Sequence, residues 1–380
     1  MVVLGPSSPP RWPSYRAPVR LEDFDYTLPP EAIAQRPVEP RDAARMLVHA
    51  VSSGSDAQHR TVRDLDEFLR DGDLLVVNDT RVRPARVLAR RPSGGRVELL
   101  FLEALGDGVW RALVRPGKKQ RPGARLEVAT GVGVELIERE LAPDGTPAAT
   151  WRVRWRSEAD GDSEPGARDE ALLEAHGEVP LPPYIQRAAD AADRERYQTV
   201  YARESGSVAA PTAGLHLTPE LLDRLAARGV ERASVTLHVG LGTFAPVQEE
   251  DPRDHPMHAE VYHLPEATAE AVVRTRARGG RVVCVGTTSA RVLESCAVEG
   301  GLVEAGAGET RLFLHPGRGP RVLDGLLTNF HLPRTTLLML VASFIGTETT
   351  LRLYSEALRE GYRFFSYGDA MLLLRERAEP

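Results

Sequence analysis

Cysteine is nearly missing from this chain. Only Cys284 and Cys296 occur among its 380 residues, with no CxxC spacing and no disulfide framework. Cys284 lies in the apolar run Val282-Val283-Cys284-Val285, where a free thiol behaves as a small core hydrophobe. A reducing cytoplasm is the expected compartment. Long apolar runs are missing too. The longest, residues 337–345, contains Ser343 and falls short of the about 18 residues that cross a bilayer, so a buried helix is expected there. Residues 1–20 hold five prolines and no apolar core segment, which predicts a disordered lead-in and not a secretory signal. Lysine is the third scarcity. Lys118 and Lys119 are the only two, so arginine carries nearly all the positive charge.

What is present reads as an ordinary globular chain. Hydrophobic residues make up 42% and charged residues 27%, and the length suits two or three domains. The net charge of −6 argues against a protein that coats nucleic acid nonspecifically. Its distribution is uneven: residues 79–130 carry twelve basic and five acidic side chains, a local +7. Such an excess can contact phosphates and steer a polyanion. A solvated β surface in an arginine-rich chain is the plainer alternative.

Two regimes of patterning follow one another. Short apolar stretches at 74–77, 87–89, 97–102, 110–114, 126–128, 134–137 and 151–155 are punctuated by glycine, proline and asparagine, which predicts a small barrel or sandwich. Residues 157–166 read as an exposed loop. After about residue 178 the period changes. Thr218 caps a helix with Pro219 in its first turn and Gly229 as its stop. Strand 233–239, a helix from Pro265 to Gly279-Gly280, strand 281–285 and a helix from about Thr288 follow. Helices at 337–345 and 351–358 and a strand at 362–367 complete the reading. Alternation of this kind implies an α/β main domain, formed by 21–78 and 177–380, with the β module inserted at 79–176.

Chemistry is expected where strand ends meet polar loops. Gly286-Thr287-Thr288-Ser289 joins a strand to a helix, and free amides there attract a carboxylate or phosphate; a hydroxyl cap is the simpler account. His238 precedes Gly240 and Gly242-Thr243, glycines that allow a ligand close to the backbone. The GxG does not open a helix as a dinucleotide fingerprint would. His216 and His331 each sit on a stiff turn beside a helix start, which favours neutral imidazole and so a base. For all three histidines, a packed and hydrogen-bonded ring is the competing account. Asp369 closes the expected strand 362–367 and can reach a ligand edge or merely brace a turn. His255, His258, Glu260 and His263 match no compact zinc spacing, so no metal is expected.

Longer motifs carry a resemblance. They are Asn78-Asp79-Thr80-Arg81-Val82 with Pro84-Ala85-Arg86, Leu181-Pro182-Pro183-Tyr184-Ile185, Arg196-Tyr197-Gln198-Thr199-Val200-Tyr201, the run from Gly206 to His216, His238-Val239-Gly240, Gly286 to Ser289, Thr328 to Pro333 and Phe365 to Met371. In this order, over about 21–374, they resemble the S-adenosylmethionine:tRNA ribosyltransferase-isomerase family of queuosine biosynthesis. Leu217, Leu241 and Ala290 depart from its usual residues without removing a titratable group. The resemblance implies an α/β main domain with an inserted small β-barrel. It implies transfer and isomerisation of the ribosyl moiety of S-adenosylmethionine onto 7-aminomethyl-7-deazaguanine in the tRNAs for Asp, Asn, His and Tyr. The product would be epoxyqueuosine, with adenine and methionine released and no cofactor beyond the co-substrate. Under that reading His216, His238, His331 and Asp369 are candidate bases. Gly286–Ser289 would hold the methionine carboxylate, and Arg81, Arg83 and Arg86 would contact tRNA phosphates. A methyltransferase and a noncatalytic RNA-binding module are the competing classes; the first lacks an early glycine-rich turn here, and the second leaves the polar loops unexplained.

Overall fold

The computed structural model describes residues 19–51, 56–142, 145–157, 164–240, 247 and 249–375. Residues 1–18 of the expected disordered lead-in, and most of the expected loop at 157–166, lie outside the described residues. The chain divides into two compact units. The first runs to Thr80 and includes Thr199–Glu204 and everything from Pro211 onward; the second holds Arg81–Gln198 and Ser205–Ala210.

The first unit is built on a nine-stranded sheet. Its strands are β1 (Arg45–Ala50), β2 (Gln58–Thr61), β3 (Leu74–Asn78), β13 (Glu231–Leu237), β14 (Glu260–Leu264), β15 (Val282–Val285), β16 (Gly306–Thr310), β17 (Gly325–Asn329) and β18 (Ala370–Leu374). The spatial order is β16-β14-β13-β3-β15-β17-β18-β1-β2. The centre, β13-β3-β15-β17, is parallel. Strands β3, β15, β17 and β18 are buried at every position, because a parallel sheet covered on both faces needs unbroken apolar runs such as Leu74-Leu75-Val76-Val77 and not an alternating pattern. Helix α3 (Pro219–Ala227) begins as expected, with the Thr218 hydroxyl accepting from the Leu221 amide at 3.1 Å. Its Leu221 and Leu225 join Leu75, Val77, Val283, Val285, Leu327 and Leu372 in one core. Helices α4 (Glu266–Ala277), α5 (Gly286–Ser295), α6 (Thr336–Ile345) and α7 (Thr347–Arg359) complete the unit.

Two buried carboxylates fasten the amino-terminal edge of this sheet. Asp73 accepts from the Arg281 backbone amide (2.9 Å), from its Nε (3.1 Å) and Nη2 (2.6 Å), and from the Arg70 amide (3.0 Å). It thereby ties the start of β3 to the start of β15. Asp324 accepts from the Val282 amide at 2.8 Å and pairs with Arg276.

The second unit is a closed barrel. Strands β5 (Arg86–Arg90), β6 (Arg96–Gly106), β7 (Val109–Arg115), β8 (Arg125–Ala129), β9 (Val132–Leu141) and β10 (Pro147–Ser157) run in the order β5-β6-β7-β10-β9-β8, and β8 returns to pair with β5. Alternate residues point inward, which places Phe101, Trp110, Trp151, Val153 and Trp155 in a common core. Phe101 stacks on Trp155 with centroids 5.1 Å apart. Helix α1 (Pro165–His176) contributes Leu173 to that core, and its buried Asp169 accepts from Trp110 Nε1 at 2.8 Å. The short strands β4 (Thr80–Val82) and β12 (Glu204–Ser207) are where the chain crosses between units.

Two differences from the sequence reading stand out. The barrel unit extends beyond 176, because β11 (Gly177–Glu178) adds to β5, Asp193 of the short α2 (Asp193–Arg196) clamps Arg187 at 2.6 and 2.7 Å, and the Gln198 amide bonds the backbone of Val82 at 3.0 and 2.7 Å. Polar bonds, not apolar periodicity, hold that extension. The strand expected at 362–367 is absent; β18 begins only at Ala370. Phe365 takes a left-handed φ of 73°, and a Cβ on Gly368 would lie 2.4 Å from the Arg363 carbonyl oxygen. The chain doubles back there, which only glycine permits so close to another backbone.

Candidate active site

The parallel order brings the ends of β13, β3, β15 and β17 to one edge of the sheet, at Leu237, Asn78, Val285 and Asn329. Ala370 of β18 lies opposite Asn329, and Met46 of β1 pairs with Ala370, so Asp369 and Arg45 share this edge. Open α/β sheets bind ligands in the crevice outside the carboxyl ends of their strands.

Asn78 sets the first histidine. Its Oδ1 accepts from the amides of Thr80 and Leu237, both at 3.1 Å, and its Nδ2 donates to the Leu237 carbonyl at 3.0 Å. These bonds replace the ladder where β3 and β13 end, and they bring Thr80 Oγ1 to 2.9 Å from His238 Nδ1. The same hydroxyl lies 3.4 Å from the Glu204 carbonyl, which can only accept. A hydroxyl proton given to that carbonyl would leave the hydroxyl to accept from Nδ1–H, the tautomer in which the half-buried His238 carries its lone pair on Nε2. Next to Thr80, the buried Asp79 accepts from the Thr236 hydroxyl (2.8 Å) and Arg203 (2.9 Å); burial raises its carboxyl above the usual range despite both donors.

His216 has the opposite polarity. Thr212 Oγ1 donates to Asn329 Oδ1 at 2.9 Å, which orients the amide, and Asn329 Nδ2 donates to His216 Nε2 at 3.0 Å and to the Phe365 carbonyl at 3.1 Å. A ring whose Nε2 accepts carries its proton on Nδ1. In this arrangement the Nε2 of His216 is engaged by Asn329.

His331 is turned inward. Its Nε2 lies 3.0 Å from Thr328 Oγ1, its amide donates to the Tyr354 hydroxyl at 3.1 Å, and its carbonyl accepts from the Tyr26 hydroxyl. Burial pushes its pKa down to about 3, so the ring stays neutral at working pH. A pH dependence of stability follows. As pH falls through the ordinary histidine value of 6.5, the unfolded chain takes up a proton that folded His331 refuses, so stability is lost on acidification from about 6.5 toward 3. Between pH 7 and pH 5 this amounts to about 2 kcal/mol. Denaturant titrations at the two pH values should show that His331→Gln loses about this much less than the parent; equal losses would refute the assignment.

Asp369 is occupied by the backbone. Its carboxylate accepts from the amides of Arg45 (3.1 Å) and Arg363 (2.7 Å) and lies 3.3 Å from the Arg363 guanidinium. It braces the turn into β18 against the start of β1.

The junction 286–289 opens α5 two residues earlier than expected. The residue at its N-cap is Val285, which offers no side-chain acceptor. Gly286 adopts φ +86°, a conformation that suits glycine. Ser289 is engaged with the Val285 carbonyl at 2.8 Å, but the Thr288 hydroxyl, in a residue 6% exposed, has no hydrogen-bond partner. Thr287 is buried beside it. An uncapped helix start with an unpaired hydroxyl suits an anionic oxygen.

Gly240 donates its amide to Glu260 Oε1 at 3.2 Å; Gly242 and Thr243 lie outside the described residues. Glu260 also pairs with the buried Arg291, whose Nε donates to the Leu312 carbonyl at 3.1 Å and whose Nη2 has no partner. This pair lines a small pocket with Leu312, Leu314 and Leu340 among its walls and His258 also lining it. Such a lining suits a largely apolar group with a polar edge. His255 bonds Glu249 at 2.9 Å, and no cluster of three or more His, Cys, Asp or Glu suited to a metal occurs among the described residues.

In the barrel unit the three arginines expected at phosphates are ion-paired: Arg81 with Glu174 (4.0 Å), Arg83 with Glu170 (2.9 Å), and Arg86 with Glu98 and Glu178 (2.8 Å each). The orienting roles of Asn78, Thr80, Thr212 and Asn329 escaped the sequence reading, although the motifs around them were conspicuous.

The family model described as Queuosine biosynthesis protein matches residues 21–373. A Thermus thermophilus protein called S-adenosylmethionine:tRNA ribosyltransferase-isomerase is 54% identical over 357 residues, covering 93% of this chain and 99% of its own. A Symbiobacterium thermophilum protein of the same name is 51% identical over 94% of this chain and 100% of its own. A crystal structure of an S-adenosylmethionine tRNA ribosyltransferase from Thermotoga maritima superposes with a TM-score of 0.52 at 38% identity, covering 93% of this chain and all of that one.

Proposed function

Since the chain belongs to the queuosine biosynthesis protein family, we propose that the carboxyl edge of its large sheet is where the ribosyl group of S-adenosylmethionine is opened and rebuilt on tRNA. The overall activity is that of an S-adenosylmethionine:tRNA ribosyltransferase-isomerase. It converts 7-aminomethyl-7-deazaguanine in tRNA to epoxyqueuosine and releases adenine and methionine. The acceptors are the tRNAs for Asp, Asn, His and Tyr, and S-adenosylmethionine is consumed as a co-substrate with no separate cofactor. The enzyme works in the cytoplasm, where Cys284 and Cys296 stay reduced. No single helix among the described residues is long and apolar enough to cross a membrane.

The supporting observation is the opposed polarity of two histidines on one edge. The sulfonium charge acidifies the adjacent 5′ carbon, and His238, whose lone pair is on Nε2, removes that proton. Adenine leaves as the sugar opens, and His216 Nδ1–H donates to a developing negative charge. The precursor's amine adds at the former anomeric carbon; ring closure then expels methionine and leaves the epoxide. An alkylamine is largely protonated near neutrality, so it too must first lose a proton. The methionine carboxylate sits at the start of α5, on the Thr288 hydroxyl.

Incubation with S-adenosylmethionine and precursor-bearing tRNA should release adenine and methionine in equal amounts. Methylated tRNA with S-adenosylhomocysteine would overturn the reading. In the same assay Thr288→Val should raise the KM for S-adenosylmethionine by roughly tenfold, the value of one hydrogen bond to a charged group; an unchanged KM would remove the carboxylate from that place.

A further inference from the structure

The charge of the barrel unit is concentrated at one end. Strand β5 finishes at Arg90 opposite Arg96, which begins β6, while β7 finishes at Arg115 opposite Glu98, and Arg90 also faces Glu127 of β8. The β5–β6 turn and the β7–β8 connection therefore leave the barrel at the same end. Residues 90–96 and 115–125 together hold eight cations, Arg90, Arg91, Arg96, Arg115, Lys118, Lys119, Arg121 and Arg125, and no aspartate or glutamate. All but Arg91 are exposed. Among the described residues none of the eight forms an ion pair; elsewhere on the barrel strands Arg86, Arg111, Arg152 and Arg156 do, while Arg139 bonds backbone carbonyls and Arg154, like the eight, has no ion pair. Of the two acids opposite this group, Glu98 is held by Arg86. The β6–β7 hairpin, which leaves at the other end, carries Glu103 and Asp107.

We infer that this end of the barrel is the surface that grips the phosphate backbone of the tRNA. The inference rests on the tRNA reading above and assigns the grip to residues other than Arg83 and Arg86, which are paired with glutamates at 2.8–2.9 Å, and Arg81, which shares Glu174 with Arg194. Guanidinium and ammonium groups without an ion pair, at the strand ends and on the connections between them, lose no internal counter-ion when they meet phosphates. They release the counterions condensed on the nucleic acid, which makes binding steeply salt-dependent. A purely solvated surface gains nothing from leaving eight like charges together, because like charges repel. The Pro116, Pro122 and glycine turns between them set the connection without apolar side chains that would need covering.

The test is the affinity of the full-length protein for unmodified tRNA across salt concentrations, by filter binding or fluorescence anisotropy. Lys118→Glu/Lys119→Glu/Arg121→Glu should weaken binding at least tenfold near physiological salt. The log–log salt slope should become shallower by about 0.7–0.9 for each phosphate that is no longer neutralised. A milder Lys118→Ala/Lys119→Ala variant should show the same trend, and Arg86→Gln, in the paired group, should not alter the slope. If the parent binds and both variants match it in affinity and slope, this surface assignment is wrong. If the parent itself shows no tRNA affinity, the tRNA reading fails first, and the two failures are thereby told apart.

Discussion

His238→Gln should lower kcat by between about a hundredfold and ten-thousandfold, the range that general acid–base groups supply, while the fold stays intact. The asymmetry of the two histidines makes this specific. Thr80 Oγ1 meets Nδ1 of His238, whereas the Asn329 amide nitrogen meets Nε2 of His216, which leaves opposite ring nitrogens for the substrate in the proposed mechanism. A glutamine at 238 can still bond Thr80 through its amide, so the neighbouring bonds survive and only the titrating nitrogen disappears. His216→Gln removes a donor that a glutamine amide partly replaces, so its loss should be smaller. Single-turnover release of adenine is the measurement, because it reports the sugar chemistry before tRNA product leaves. If His238→Gln turns over at the parent rate, or if His216→Gln is the more damaged of the two, the proton-ordering argument fails.

The second large effect concerns stability. Asp73→Ala should destabilise the protein by about 3–5 kcal/mol, since it leaves the Arg281 guanidinium buried without its counter-ion. Asp73 is fully buried, and Arg281 is 9% exposed. The carboxylate also satisfies the backbone amides of Arg281 and Arg70, so its removal orphans groups at the start of two central strands. The discriminating comparison is with Asp73→Ala/Arg281→Met, which removes both charges. It should recover part of the loss, because a buried pair replaced by apolar side chains often costs little. Denaturant midpoints with unchanged slopes would report both. A single variant within about 1 kcal/mol of the parent would show that solvent reaches this edge.

What was legible in the sequence followed from burial on both faces or on alternating residues. The apolar runs of β3 and β15 and the Thr218-Pro219 start of α3 announce themselves locally, and so do the inward residues 97, 99 and 101 of β6. Helix α1 did not, because its residues 165–171 are proline, glycine, alanine and charged side chains, and only Leu172 and Leu173 are large apolar residues. The turn before β18 was mistaken for a strand because Phe364, Phe365 and Tyr367 are large and buried, Phe364 against the Phe330 ring, without belonging to a pleated strand. The histidines themselves were legible as candidates. Their tautomers were not, since Thr80 is 158 residues from His238 and Asn329 is 113 from His216. Nothing short of the assembled sheet brings those partners within reach.

Apart from an amino-terminal amine, Lys118 and Lys119 carry the chain's only primary amines. Reagents selective for side-chain amines, such as succinimidyl dyes or coupling resins, will therefore attach, apart from that terminus, only at one tip of the barrel. If that tip holds tRNA as inferred, a chip prepared that way would mask it and report falsely weak capture. A reporter fluorophore placed there without substitution, by contrast, would sense arriving RNA directly.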